Sequence, residues 1–270
     1  MQLTTGSHNT GMFKHRYLYW QWLKRDVAGR YRGSLLGLLW PVLQPLTQIC
    51  VFTLIFYEFM QTRWPAASSS GNALDYGLNV FAGLAVFNYF AEVLSRAPSA
   101  ILAQPNLVTK VRFPLALLPA VTVGSAMVHI AVGSVSLLLL AAVFRNISWA
   151  VLWLPVFLLP LILYGMGMAM LLASLGIYLR DIGQVMPALT NMLMFLTPIF
   201  YPVTAVPVYL RPWFEFNPIG WGAQALRSLL LEATVPSLSV LWLHGAVAVT
   251  LVLIANYLFA RLQKGFADVL

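Results

Sequence analysis

Apolar residues in this chain gather into long runs, and polar residues into short clusters between them. The runs occupy residues 35–57, 78–93, 115–144, 149–179, 187–200 and 238–260. A helix needs about 20 apolar residues to cross a hydrocarbon core, so the pattern predicts an all-α integral membrane protein with six transmembrane helices over 35–260. The second run is short and carries Asn88 and Glu92; the fifth begins near Pro187 and fades through Pro198 and Pro202. The third and fourth exceed the minimum length and are expected to tilt, with FRNISW as the tight turn between them.

Two stretches break the pattern. Between the fifth and sixth runs, residues 202–236 are too apolar for a free exterior loop, yet Pro202, Pro207, Pro212, Pro218 and Pro236 divide them. Non-helical backbone survives at membrane depth only where protein or water satisfies it, so the expectation is a re-entrant pair of short helices on the outer face. Before the first run, residues 13–32 fit an amphipathic helix lying in the inner interface. Phe13, Trp20, Leu23, Val27 and Tyr31 fall on one side, with Tyr17 and Ala28 at its edge. Lys14, His15, Arg25, Asp26 and Arg30 fall on the other, and Lys24 is a misfit that can snorkel. Residues 1–12 carry no charge, read as no signal peptide and are expected to be loose; residues 261–270 form a cytoplasmic tail.

Composition supports this reading. The chain of 270 residues is 60% hydrophobic and only 9% charged. Soluble domains carry about a quarter charged residues, so a soluble enzyme is excluded. The net charge of +8 would suggest nucleic acid, but the basic residues sit between apolar runs. With both termini inside, 12 of the 16 Lys and Arg residues face the cytoplasm and only Arg63, Arg145, Arg211 and Arg227 lie outside. That bias sets the orientation. The single cysteine, Cys50, reads as a small buried hydrophobe and forms no disulfide framework.

Candidate chemistry is sparse. A P-loop needs Gly-x-x-x-x-Gly-Lys-Ser/Thr, and none of Lys14, Lys24, Lys110 and Lys264 follows a glycine. His8, His15, His129 and His244 have no metal-ligand spacing, and no catalytic residue stands out. His129 lies mid-span, where an ionisable group is costly; it reads either as a hydrogen-bonded structural histidine or as lining a water-filled route. His129 and Glu92 are the two candidates for a proton-coupled site. Tyr57, Asn88, Trp213, Phe214, Phe216 and Trp221 are the other channel or outer-gate candidates; the aromatics suit sugar stacking or an interfacial belt. The inner loop SRAPSAILAQPNLVTKVRFP predicts a short helix bounded by Pro98 and Pro105, then a basic return through Lys110 and Arg112. Arg180 and Asp181 form the next inner turn, where a surface pair adds little stability and a positional role fits better.

Three motifs carry a resemblance. RYRGSLLGLLWPVLQPL places Arg30 or Arg32 before Gly33, Ser34, Gly37, Trp40, Pro41 and Pro45. LLASLGIYLRDIGQVMPALTNMLMFLTPIFYP closes a span, turns at Arg180–Asp181 and ends in TPIFYP; FNPIGWGAQALRSLLL precedes the last span. In this order they resemble the permease subunit of ABC exporters for polysaccharides, the O-antigen and teichoic-acid type of the ABC-2 family. Independently of that likeness, Gly33 and Gly37, four apart, permit close helix approach, and a proline near the start of a span can bend it. The resemblance implies a homodimer of identical permease subunits and two cytosolic P-loop ATPase subunits, which hold the ATP and Mg2+. It implies a polyprenyl-pyrophosphate-linked glycan as cargo. It makes Trp20, Lys24, Arg25, Arg30, Tyr31 and Arg32 a gate helix, and places ATPase coupling at Arg96, Lys110, Arg112, Arg180 and Asp181. The competing readings are an ABC exporter of a drug or small lipid, a proton-coupled secondary transporter, and a membrane-embedded enzyme or scaffold.

Overall fold

In the computed structural model, the structure describes residues 16–31, 40–59, 61, 73–111, 113–144 and 148–270. Arg32, Gly33, Ser34, Gly37 and Arg112 lie outside the described residues. The described part is all helix and turn. The helices are α1 (Arg16–Tyr31), α2 (Trp40–Phe52), α3 (Ala73–Arg96), α4 (Pro105–Thr109), α5 (Leu117–Phe144), α6 (Leu154–Tyr178), α7 (Ile182–Leu196), α8 (Arg211–Phe216), α9 (Pro218–Leu230), α10 (Leu238–Leu262) and α11 (Phe266–Val269). A π-helical turn, Thr53–Phe59, extends α2. Trp40, Pro41 and Pro45 all fall in α2, which runs on past both prolines to Phe52.

Four helical stretches are long and apolar enough to cross a membrane: Ala73–Ser99, Leu117–Val143, Trp149–Tyr178 and Leu238–Val269. Two shorter apolar ones are Leu46–Phe59 and Ile182–Leu196. Each coincides with one of the six apolar runs. The second run was read too short. Its helix has 24 residues, because 16 of them are buried and the protein interior, not lipid, shelters Asn79 and Glu92. By contrast α10 buries five of its 25 residues. The fifth helix starts at Ile182 and carries Pro187 inside it, at its sixth residue, where the ring removes the backbone bond to the Gly183 carbonyl and the helix nevertheless continues to Leu196.

α3 is the centre of the fold. α5, α9, α7 and α2 pack around it, and α6 joins the same core and carries α10 on its other side. The main core is aromatic-rich and includes Tyr76, Phe81, Tyr89, Phe90, Phe157, Phe200 and Trp221. A second, smaller core of Ile101, Leu115, Leu118, Met170, Ile177, Phe259 and Phe266 joins the loop after α3 to α5, α6, α10 and α11. Residues 261–270 are therefore no free tail: Phe266 is fully buried, and the Tyr178 hydroxyl donates to the Leu262 carbonyl at 2.9 Å. Cys50 is exposed on α2, against the expectation of burial; it faces away from the chain's own core.

The loop after α3 also differs from its expectation. Ala97–Ser99 is a single 3-10 turn, the chain bends through 100–103, and Pro105 begins α4 where it was expected to end a helix. Proline is preorganised for the first helical position, which has no intrahelical N–H bond to lose.

Candidate functional site

Three helices each present a polar pair spaced four residues apart, one turn of one face. Asp26 and Arg30 come from α1, Glu92 and Arg96 from α3, Ser125 and His129 from α5. The fold brings all six side chains together. Arg96 donates from Nη2 to Asp26 Oδ1 at 2.7 Å and Oδ2 at 2.9 Å, and from Nη1 to Glu92 Oε1 at 2.8 Å. Arg30 donates to Glu92 Oε1 and, at 3.4 Å, to Asp26 Oδ2. Ser125 Oγ donates to Asp26 Oδ2 at 2.6 Å. Arg30 Nη1 lies 2.9 Å from His129 Nε2. Guanidinium has no acceptor, so in this contact the nitrogen accepts; the same Nε2 stands 3.4 Å from Glu92 Oε2.

Two arginines and two carboxylates balance. The network is half-sheltered, from 12% side-chain exposure at Glu92 to 37% at Arg96. Burial disfavours the Asp26 carboxylate, but hydrogen bonds from Arg96 and Ser125 and the charges of Arg96 and Arg30 outweigh it and hold its pKa below the usual range. The network alters the expected face of α1. Asp26 and Arg30, expected on the polar side of an interfacial helix, turn into the bundle, while Tyr17 and Trp20 are exposed. Leu23 is buried; Lys24 and Arg25 stay exposed, Arg25 lying 5.4 Å from the Trp22 ring. Next to the network opens a cleft of about 410 Å³, lined by Trp22, Arg25, Arg30, Arg96, Gln104 and Thr122 among others.

Arg96 is the last residue of α3, so the network stands at the root of the following loop. Ala97, Pro98 and Ile101 are buried. Pro98 backs onto Gly176 of α6 so closely that a Cβ there would overlap the Pro98 carbonyl. Beyond this seat the surface is open: Lys110, Arg180 and Asp181 are exposed, and among the described residues no ion pair joins Arg180 to Asp181.

A second constellation lies at the other end of α3. α7 ends at Leu196, and the buried segment 197–200 leaves the helix with carbonyls to satisfy. Tyr76 donates its hydroxyl to Phe200 O at 2.8 Å. Arg227 of α9, wholly buried, donates from Nη2 to Ile199 O at 3.1 Å and from Nε to Asn79 O at 3.0 Å. This is how irregular backbone tolerates an apolar setting. Arg227, counted from sequence among exposed outer charges, is thus an internal clamp. Asn217 caps α9, accepting from Ile219 N at 3.0 Å and donating to Thr197 Oγ1 at 3.1 Å.

The expected aromatic rim divides. Trp213 and Phe216 are exposed and Phe214 partly so, but Trp221 is only 7% exposed and stacks on His244 at 4.3 Å, leaving it no face for a ligand. His244 donates from Nε2 to Glu215 O at 3.3 Å, which leaves Nδ1 to accept from the Tyr164 hydroxyl at 3.2 Å. Tyr57 sits beside Tyr76, ring centroids 6.0 Å apart, and Asn88 donates to Gln48 Oε1 at 3.3 Å, tying α3 to α2.

Arg30, Arg96 and His129 were read from sequence in three separate roles, yet share one network. Asp26 and Ser125 were missed as members; the available signal was the matching four-residue spacing of polar pairs in three neighbouring helices. Among the described residues no three His, Cys, Asp or Glu side chains converge to hold a metal.

The ABC-2 type transporter family matches residues 17–231. The chain is 25% identical over 260 residues to an O-antigen export system permease protein RfbA of Myxococcus xanthus, covering 95% of this chain and 96% of that one. A protein of the same name from Klebsiella pneumoniae is 22% identical over 252 residues, covering 91% and 92%.

Proposed function

The chain belongs to the ABC-2 type transporter family, and from that premise we propose that it is the permease subunit of an ATP-driven exporter that moves lipid-linked polysaccharide out of the cytoplasmic membrane. The end-to-end likeness to O-antigen export permeases carries this reading. The six apolar segments serve as six crossings with both termini in the cytoplasm, as the distribution of basic residues favours. α7 rises only about 22 Å against a hydrocarbon core of about 30 Å, and residues 197–200 complete that crossing on side-chain donors.

Two copies of the chain form the pathway, and two cytosolic P-loop ATPases hold ATP and Mg2+. ATP binding draws the ATPases together, and the movement enters through the loop after α3, where Lys110 and Arg112 meet the ATPase surface. α1 moves with it as the inner gate; α8 and α9 form the outer re-entrant pair. No covalent chemistry occurs on this chain; its residues position, couple and line. The polyprenyl pyrophosphate approaches along the basic inner rim, attracted by Arg25 and its neighbours.

The test is reconstitution with the cognate ATPase in proteoliposomes. The expected result is ATP-dependent outward movement of labelled lipid-linked glycan and stimulated ATP turnover. Export driven by a proton gradient with a hydrolysis-dead ATPase would overturn the proposal.

A further inference from the structure

We infer that Asp26 is a positioning residue for transport: it locks α1 to the foot of α3, so that α1 and the loop that follows α3 move as one body. The inference rests on the proposed coupling role of that loop and adds how its motion reaches α1.

Four observations carry it. Arg96 gives one nitrogen, Nη2, to both Asp26 oxygens and the other, Nη1, to Glu92, so a single planar guanidinium is a fork between two carboxylates and fixes orientation as well as distance, which a point charge cannot do. Arg96 is the last residue of α3, joined directly to Ala97–Ser99, and that turn is wedged under α6 against Gly176. A displacement of the turn therefore displaces the guanidinium. Ser125 of α5 donates to the same carboxylate, so three helices meet on one side chain. Finally, Arg30 holds Glu92 and His129 one turn further along α1, giving the joint a second point and resisting rotation.

Other charged and polar groups facing Asp26 are Arg30 on its own helix and Arg96, Glu92 and Ser125 on the helices packed against it. The carboxylate is needed because it neutralises a guanidinium that is itself half-sheltered. An amide of the same shape leaves two guanidinium groups, Arg30 and Arg96, to share the single carboxylate of Glu92.

The experiment has two arms on the reconstituted permease–ATPase complex. In the first, Asp26→Asn is expected to lower glycan transport on the order of tenfold, the loss of one hydrogen-bonded charge pair, while ATP turnover persists. Asp26→Glu, which keeps the carboxylate, is expected to recover most of the loss. In the second, spin labels at Y17C and T109C, exposed positions on α1 and α4, are placed in a Cys50→Ser background. With labelled chains diluted into unlabelled ones so that the within-chain pair dominates, the wild-type background should give a distance that does not change between nucleotide-free and ATP-bound states; Asp26→Asn should broaden it. Should Asp26→Asn fail to assemble, Arg96→Lys, which keeps charge but loses the fork, is expected to give the same uncoupling.

Wild-type transport by Asp26→Asn, or a label distance that shifts with ATP in the wild-type background, would overturn the inference. A wild-type complex that moves no glycan overturns the proposed function instead, and the distance arm then decides the joint by itself.

Discussion

Replacing Gly176 by alanine sets two effects against each other. A helix-interior glycine costs about 1 kcal/mol relative to alanine, so the substitution should stabilise α6 wherever space allows. At Gly176 it does not: the added Cβ would overlap the Pro98 carbonyl oxygen and stand 2.9 Å from Pro98 Cα and C. Carbon atoms meet at about 3.5–4.0 Å, so the backbone of Ala97–Ser99 must back away by more than roughly half an ångström. Backbone atoms cannot swing aside as a side chain does. Overpacking of this kind costs about 1–3 kcal/mol, which exceeds the propensity gain. Gly29 of α1 is the internal control, because nothing lies within 4 Å of its added Cβ. In detergent, Gly176→Ala should melt several degrees below wild type and Gly29→Ala at or above it, a 1 kcal/mol change being worth about 2–4 °C for a chain of this order. The displaced turn should also weaken ATPase association. If Gly176→Ala instead rises with Gly29→Ala, the seat under α6 is not as tight as argued, and the loop's rigidity goes with it.

Asp26 gives a pH signature. Its folded pKa is depressed, so its contribution is present above its unfolded value near 3.8 and is withdrawn as pH falls through the lower folded value. Stability of the α1–α3 contact, followed by the α1-to-α4 label distance, should hold down to about pH 4 and fail below it; in Asp26→Asn that acid step should disappear. Arg227→Lys keeps a buried cation but cannot span Asn79 O and Ile199 O together. It should lower the melting temperature by the equivalent of about 1–3 kcal/mol, and an unchanged melt would show the fork to be dispensable. His244→Ala removes the Trp221 stack and bonds to Tyr164 and Glu215; a cost of about 2–4 kcal/mol is expected, with protease sensitivity rising around α8. Lys110→Glu should weaken ATPase binding most at low ionic strength, and a salt-independent loss would point to misfolding of α4.

The apolar runs were legible because membrane-length helices need little more than length and apolarity. Fine placement was not, for reasons that differ by residue. Pro105 is compatible with ending one helix or beginning another, and only the path of 100–103 decides it. The helical wheel puts Asp26 and Arg30 on a charged face away from Trp20 and Leu23, but a wheel has no neighbours, so it cannot say that Glu92 of α3 takes Arg30 and that Arg96 takes Asp26. Arg227 looks like an exterior charge in any count along the chain; its partners are carbonyls left over where α7 stops, and these arise only once the chain is folded. Trp221 and Trp213 look alike in sequence and separate because α9 is buried along nearly its whole length while α8 lies on the surface.

The consequence of α3's burial concerns how effort crosses the bilayer. One unbroken run of 24 residues, about 36 Å of helix, bears Glu92 and Arg96 at one tip and Tyr76 and Asn79 at the other. Sheathed by protein along most of its length, such a rod has little room to flex or to trade contacts with lipid. In the orientation proposed above it serves as a pushrod: a nudge delivered at the Arg96 tip is carried to the Tyr76 tip, against α9, without a relay of rearranging side chains in between.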